Sequence, residues 1–160
     1  MSRKDPSKIR KVLPDGLHQS LTVTKLINYA MKDGKRQVAQ KQIYDALKLL
    51  NKKDPKIKAV DLLEQALDNI KPKIEVRPRR IGGSVYQVPT PTRGLRQNSL
   101  AIRWLISSAR LRQNKLFHSF AEKLSAELID ALAGTGAAVN KRMEVEKMAE
   151  ANKAFSHLKW

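Results

Sequence analysis

The 160-residue chain contains no cysteine. Disulfide bonds and thiolate zinc sites are therefore excluded. No run of about 18 apolar residues occurs either, so we predict no membrane-spanning helix and no membrane partner. The first residues lack the apolar stretch of a secretory signal, and we expect a reducing, cytoplasmic compartment.

Residue groupings typical of catalysis or metal binding are also missing. The three histidines, His18, His118 and His157, are too far apart in sequence to suggest a metal site. Gly134-Thr135-Gly136 follows a predicted helix rather than a strand, so it indicates a helix break and not a dinucleotide-binding loop. No Ser/His/Asp grouping, phosphate loop or pair of catalytic carboxylates is evident. We predict that the chain is not an enzyme and uses no cofactor and no metal.

Acidic residues are scarce, and the positive charge is unevenly distributed. Lysine and arginine number 32 against 15 acids, a net charge of +17 that favours a polyanionic partner, most commonly nucleic acid. Residues 71–115 hold eleven basic residues and one acid, Glu75, so +10 of the charge falls in under a third of the chain. A surface charged only for solubility mixes the two signs. The asymmetry therefore indicates a binding face.

Residues 71–96 predict a basic β-hairpin arm without a further sheet partner. Apolar and charged residues alternate over 74–77, a Gly82-Gly83 pair suits a tight turn, and β-formers Val85 and Tyr86 follow. Prolines bracket and interrupt the strands, and because proline cannot donate to a ladder, both should be edge strands. A two-stranded arm is barely stable alone in water, so we expect a partner to cover it.

Apolar residues spaced at i, i+3, i+4 and i+7 predict helices on both sides of the arm. The predicted helices span about 20–32, 35–50, 55–71, 96–111, 117–132 and 137–149. The third is expected to open with Asp54 as N-cap and Pro55 at its first position. Trp104 and Leu111 are expected on the inner side of the fourth helix, and Met143 and Met148 in the apolar stripe of the sixth.

The predicted fold class is therefore mainly α, a six-helix bundle-like body with an inserted two-stranded β-hairpin arm. We expect residues 1–160 to form a single RNA-binding domain, with a basic N-terminal tail at 1–19, the arm at 71–91 and a C-terminal tail at 150–160. Aromatic residues mixed with cations in the C-terminal tail suit base stacking, and packing back on the body is the alternative.

The arm carries the clearest binding signal. Arg77, Arg79 and Arg80 are expected at its tip beside Gly82-Gly83, where no side chain blocks close approach of the backbone. Arginine binds phosphate in a bidentate manner and stacks on bases, and Tyr86 offers a further stacking ring. A hairpin charged only against edge aggregation is the alternative, but it does not explain why the charges share one sign.

Several motifs now resemble one family. Residues 79–89 are similar to the Arg-Arg, apolar, Gly-Gly hairpin motif ending Gln-Val-Pro of the bacterial and organellar family of small-subunit ribosomal protein seven. Residues 100–105 resemble its helix-four signature, and those at 123–131, 134–136 and 148–155 follow in the family's order. The resemblance covers nearly the whole chain, although residues 1–20 fit the family pattern loosely.

The resemblance implies a structural constituent of the small ribosomal subunit. Such a protein binds the 3′ major domain of the small-subunit ribosomal RNA at a multi-helix junction and nucleates assembly of the head. The arm and C-terminal tail would lie near the exit-site tRNA and the messenger path, with neighbouring small-subunit proteins close by, in a cytoplasmic or organellar ribosome. We expect no homo-oligomer.

Charge and resemblance together give a set of predicted RNA-binding residues. They are Arg3, Lys4, Lys8, Arg10, Lys11, Lys35, Arg36, Arg77, Arg79, Arg80, Gly82, Gly83, Tyr86, Arg93, Arg96, Arg103, Arg110, Arg112, Lys115, Lys141, Arg142, Lys153 and Trp160. Two other functions stay open: a translational repressor that binds its own messenger through the same surface, and a DNA-packaging protein with no preference for folded RNA.

Overall fold

A computed structural model describes residues 12–53 and 55–158. Within these residues the chain forms six α-helices, one two-stranded sheet and a short 3-10 helix. In order they are α1 Leu21–Ala30, α2 Arg36–Lys53, α3 Ala59–Ile70, β1 Ile74–Ile81, β2 Ser84–Pro91, α4 Gly94–Leu111, α5 Phe120–Leu132, α6 Ala137–Ala151 and the 3-10 helix Lys153–Leu158. The predicted mainly helical fold, with its arm between the third and fourth helices, is confirmed.

The core forms where α5 packs against α2, α3 and α4. Leu124 and Leu128 of α5 are completely buried, and Trp104 packs against this core from α4, as predicted. A capping box starts α5: the Ser119 hydroxyl accepts from the backbone N–H of Glu122, while the Glu122 carboxylate accepts from that of Ser119. This local signal fixes where α5 begins.

The arm is an antiparallel hairpin in which Ile81 pairs with Ser84 across a two-residue turn. Gly82 and Gly83 have φ angles of 56° and 91°. The two-residue turns that suit a twisted hairpin need positive φ at both central residues, and glycine adopts positive φ without strain. At the other end Thr92 closes the arm, since its backbone N–H donates to the Lys73 carbonyl at 3.0 Å. The base is also attached to α6, because the backbone N–H of Lys73 donates to Glu146 Oε1 at 3.2 Å.

The predicted start of the third helix is wrong. α3 begins at Ala59, with Lys58 in the N-cap position, and Pro55 lies in the turn before it. α2 continues to Lys53, so the intervening residues are needed to reverse the chain. The predicted N-cap, Asp54, lies outside the described residues.

Three residues predicted to face inward are exposed instead. Leu111 is 84% exposed, and Met143 and Met148 on α6 are also exposed. α6 packs through Ala138, Val139 and Ala149, while Met143 and Met148 fall on its outer side. Of the predicted stripe of α6, Val139 is therefore buried as expected and the two methionines are not.

The described part of the C-terminal tail packs back on the arm. The 3-10 helix contacts β2, and the ring of Phe155 lies 5.3 Å from that of Tyr86, centroid to centroid. Of the two alternatives, packing is the one observed for Phe155, whereas Trp160 lies outside the described residues. None of the helices in the described part of the chain is long and apolar enough to cross a membrane.

Candidate nucleic-acid interface

Three arginines on α4 form a stripe along its outer side. Arg96, Arg103 and Arg110 are exposed and spaced seven residues apart, so they repeat every two turns, about 10.5 Å along the axis. The opposite side of the helix carries the buried residues Ala101 and Leu105. Because these residues anchor α4 in the core, the three guanidinium groups are presented to solvent along one line.

The end of α1 and the following loop lie beside this stripe. Arg110 Nη2 donates to the Ala30 carbonyl oxygen at 3.0 Å, and Arg36 Nη1 donates to Asn28 Oδ1 at 3.4 Å. Lys35 is exposed in the same loop, which turns at Gly34 with a φ of 73°. Cations from this loop, from the start of α2 and from α4 therefore line one surface around the end of α1.

Tyr29 adds an aromatic ring to this surface. The residue is 38% exposed, and its hydroxyl lies near the side chains of Ser99 and Arg103 on α4. The Ser99 hydroxyl is the main cause that lowers the pKa of Tyr29, although partial burial opposes it. A ring fixed among arginines suits stacking on an unpaired base. We call Tyr29, Lys35, Arg36, Arg96, Arg103 and Arg110 the α1–α4 basic face.

Sequence reasoning missed Tyr29. The available signal was an aromatic residue on the outer side of the apolar stripe of α1, two positions after the buried Ile27. Its partner Ser99 is 70 residues away in sequence, so no local pattern links them.

The arginines of the arm do not all lie at its tip. Arg80 pairs with Val85 and Arg79 with Tyr86, close to the exposed glycine turn. Arg77 pairs with Val88, which is completely buried, so it lies nearer the base. The expectation that Arg77 is at the tip is wrong because β1 extends four residues beyond it to Ile81.

Arg77 and Arg96 share one acidic partner. Arg77 Nε donates to Glu75 Oε1 at 2.6 Å, and Arg96 Nε donates to Glu75 Oε2 at 3.0 Å. Burial alone would raise the pKa of Glu75, but the two guanidinium groups hold it below its ordinary value. The base of the arm is thus joined to the first turn of α4 by a charged link.

Arg112 is one of the predicted RNA-binding residues, but the structure turns its side chain inward. Its Nε donates to Glu127 Oε2 at 2.8 Å, its Nη2 also contacts Asp130, and its guanidinium lies 5.6 Å from the centre of the Phe117 ring. The helix ends at Leu111, and the chain reverses there towards α5. Arg112 therefore joins α4 to α5.

The remaining predicted residues lie on several parts of the surface. Arg93 and Lys115 are exposed in loops, Lys153 is exposed on the 3-10 helix, and Lys141 forms an exposed ion pair with Glu144 at 2.9 Å. Arg142 faces the base of the arm and lies 3.8 Å from Glu146. The predicted residues Arg3, Lys4, Lys8, Arg10, Lys11 and Trp160 lie outside the described part of the chain.

Comparison with known proteins decides the family. The family model described as ribosomal protein S7p/S5e matches residues 2–153. The chain belongs to the ribosomal protein S7p/S5e family. The resemblance seen in the sequence motifs is therefore confirmed, and this S7p/S5e chain is a structural ribosomal protein and not an enzyme.

Known relatives match the chain over their full length. The small ribosomal subunit protein uS7 of a Nitratiruptor species is 48% identical over 158 residues, 99% of each chain. The uS7 proteins of Dichelobacter nodosus and Stenotrophomonas maltophilia are 49% and 47% identical over 160 residues, 100% of each chain. The arm, the α1–α4 basic face and both ends of this S7p/S5e chain thus fall within the matched length.

Proposed function

We propose that the chain is a structural constituent of the small ribosomal subunit that binds ribosomal RNA directly through the α1–α4 basic face. The observation that carries this proposal is the line of three exposed arginines on α4, joined by Tyr29, Lys35 and Arg36. Arginine provides bidentate contacts to phosphate, and an aromatic ring between arginines can stack on an unpaired base. A face of this composition suits folded RNA with splayed bases better than duplex DNA.

The RNA contacts that we propose extend from this face to the arm and the loops. In addition to the α1–α4 basic face they are Arg77, Arg79, Arg80, Gly82, Gly83, Tyr86, Arg93, Lys115, Lys141, Arg142 and Lys153. Arg112 has a different role in this proposal. It positions the loop that carries Lys115, because its guanidinium is bound by Glu127 and Asp130.

The finer assignment rests on family membership. We propose that the RNA is a multi-helix junction of the 3′ major domain and that binding nucleates assembly of the head. The projecting end of the arm, with its exposed Gly82-Gly83 turn and Arg80, suits contact with the exit-site tRNA or the messenger path. Neighbouring small-subunit proteins would lie against the remaining exposed surface, and the chain would act as a single copy.

The direct test compares three nucleic acids at equal salt: a transcript of the 3′ major domain, the leader of the protein's own messenger, and duplex DNA of similar length. We expect the ribosomal transcript to bind tightest, with a steep salt dependence because lysines and arginines displace counterions. Equal affinity for duplex DNA would contradict the proposal and favour DNA packaging. Leader binding comparable with the ribosomal transcript would add repression of its own messenger as a second function.

A further inference from the structure

Glu75 is the only acid in the sequence between Lys71 and Lys115. The residue is 6% exposed, whereas the side chains of its two partners, Arg77 and Arg96, are 53% and 45% exposed. The negative charge is therefore directed inward and the two positive charges outward. An acid inside a face for a polyanion needs an explanation, because by itself it repels phosphate.

Each oxygen of the Glu75 carboxylate binds a different arginine. Arg77 binds Oε1 through Nε at 2.6 Å and through Nη2 at 2.5 Å, and Arg96 binds Oε2 through Nε at 3.0 Å. These bonds do not use Nη1 of Arg77 or either Nη group of Arg96. Both guanidinium groups are thus held by one carboxylate, while about half of each arginine side chain stays exposed.

The position of the pair adds a second argument. Arg77 lies on β1 and Arg96 in the first turn of α4, so one carboxylate sets the relative position of two separate elements. Arginine side chains lose much rotamer freedom when they bind a ligand, and fixing them beforehand lowers that cost. The pKa of Glu75 lies below its ordinary value, so the carboxylate stays ionised near neutral pH and keeps the link intact.

We propose that Glu75 is a positioning residue that holds Arg77 and Arg96 as one paired guanidinium site for a single backbone phosphate of folded RNA, where the arm joins α4. This inference rests on the proposed function and adds to it the ligand group and the residue that prepares its site. A phosphate between the two arginines would approach from the solvent side, opposite the buried carboxylate.

The main test is Glu75→Gln, which keeps the side-chain volume and removes the charge. Affinities are measured for the 3′ major domain transcript and for poly(U), an unstructured RNA, at equal salt. We expect binding to the ribosomal transcript to weaken about tenfold, the order of one well-formed charged contact, while binding to poly(U) stays equal or tightens because the net positive charge rises. The ratio of the two affinities therefore falls.

Simple electrostatics makes a different prediction for the same variant. If Glu75 only repels phosphate, both affinities rise together and their ratio is unchanged. If it only holds the arm in place, Glu75→Gln lowers the ratio further even when Arg77→Gln and Arg96→Gln are already present, whereas a positioning role predicts no further fall. Either result overturns the proposal. Asp45→Asn is the matched control, because it removes one acid from an exposed pair with Lys48 on α2, outside the α1–α4 basic face, and it should leave the ratio unchanged.

A second set of variants keeps Glu75 and so remains informative if Glu75→Gln does not fold. Arg77→Gln and Arg96→Gln should each weaken binding to the ribosomal transcript. Because the two arginines hold one phosphate, the double variant should lower the salt slope by about one unit, whereas two independent phosphate contacts would lower it by about two. A fall of two units overturns the paired site.

These results are distinguishable from failure of the proposed function. A wild-type chain with no preference for the ribosomal transcript over poly(U) contradicts ribosomal RNA binding itself. A wild-type preference that survives Glu75→Gln unchanged contradicts only the role of Glu75.

Discussion

Arg110 and Arg112 lie two residues apart at the end of α4, yet their environments are opposite. Arg110 is exposed on the α1–α4 basic face, where its side chain donates to a backbone carbonyl, that of Ala30. The Arg112 side chain is only 20% exposed and forms salt bridges with Glu127 and Asp130. The comparison teaches that basic residues of one segment can face either solvent or a neighbouring helix, and that the partners of each side chain decide which.

The inward arginine belongs to a link among three helices. Burial would lower the pKa of Arg112, but hydrogen bonds to Asp130 and Glu127 raise it, so the charge is retained. Glu127 is almost completely buried, and its other oxygen accepts from the backbone N–H of Ala138 at 2.9 Å. Removing Arg112 would leave this buried carboxylate without its compensating charge.

The largest expected effect separates the two arginines by stability. Arg112→Ala should lower the free energy of unfolding by about 3–5 kcal/mol, the usual cost of leaving a buried charge unpaired. Arg110→Ala, the matched control, should change it by only about 0.5 kcal/mol, as is usual for exposed positions. Urea denaturation of both variants measures the difference. Equal stability of the two variants would contradict a stabilising role for Arg112 that Arg110 lacks.

The second effect separates binding from folding on the outward side. Arg103→Gln combined with Arg110→Gln should lower the salt slope of ribosomal RNA binding by about two units, one for each lost phosphate contact. The control is Lys41→Gln combined with Lys48→Gln, which removes two exposed cations at the same seven-residue spacing on α2. It should leave the slope nearly unchanged, and an equal fall in both double variants would show that only net charge matters.

A third, smaller effect concerns the arm and the tail that packs on it. The Tyr86–Phe155 ring pair should contribute about 0.5–1.5 kcal/mol beyond its buried area. A double-mutant cycle with Tyr86→Leu and Phe155→Leu, followed by thermal unfolding, measures this coupling. Additive single effects would show that the tail rests on the arm without a specific contact between the two rings.

The smallest expected effect is on the acid side of the stability profile. The folded pKa of Glu75 is below its ordinary value of 4.5, so its contribution to stability is full above that pH and is lost as the pH falls through the folded pKa. Glu75→Gln should therefore lose less stability than the wild type as the pH falls from about 5 to about 3. The pKa values of Asp15 and Glu122 are also lowered, so a residual acid sensitivity remains. Identical stability profiles for the wild type and Glu75→Gln would show that the charged link does not stabilise the fold.

Local chemistry explains what could be predicted from the sequence. Gly82-Gly83 specifies its turn by backbone conformation alone, and apolar periodicity is enough to locate α1, α2, α4 and α5 within a few residues. The start of α3 was misplaced because Pro55 is equally suited to a turn, and only the length of α2 decides between the two. The two methionines of α6 were misplaced because the helix packs mainly through Ala138 and Ala149, and periodicity gives alanine little weight.

The candidate site was harder to predict because its decisive contacts are distant in sequence. Arg112 is distinguished from Arg110 only by acids 15 and 18 residues away, on the next helix. Tyr29 becomes part of the face only when α4 brings Ser99 beside it. Charge counting identified the region but could not tell which cations face solvent and which, like Arg112, are turned towards a neighbouring helix.

Because the chain contains no cysteine, one introduced cysteine gives a single attachment point for a probe, and this permits the most direct test. Ser107→Cys places a single attachment point for a hydroxyl-radical reagent on the exposed side of α4, between Arg103 and Arg110, and Gln65→Cys on exposed α3 is the control. Radicals generated from position 107 should cleave one compact cluster of nucleotides in the 3′ major domain, while those from position 65 should cleave it weakly. Equal cleavage from both positions, or none from position 107, would contradict RNA binding through the α1–α4 basic face.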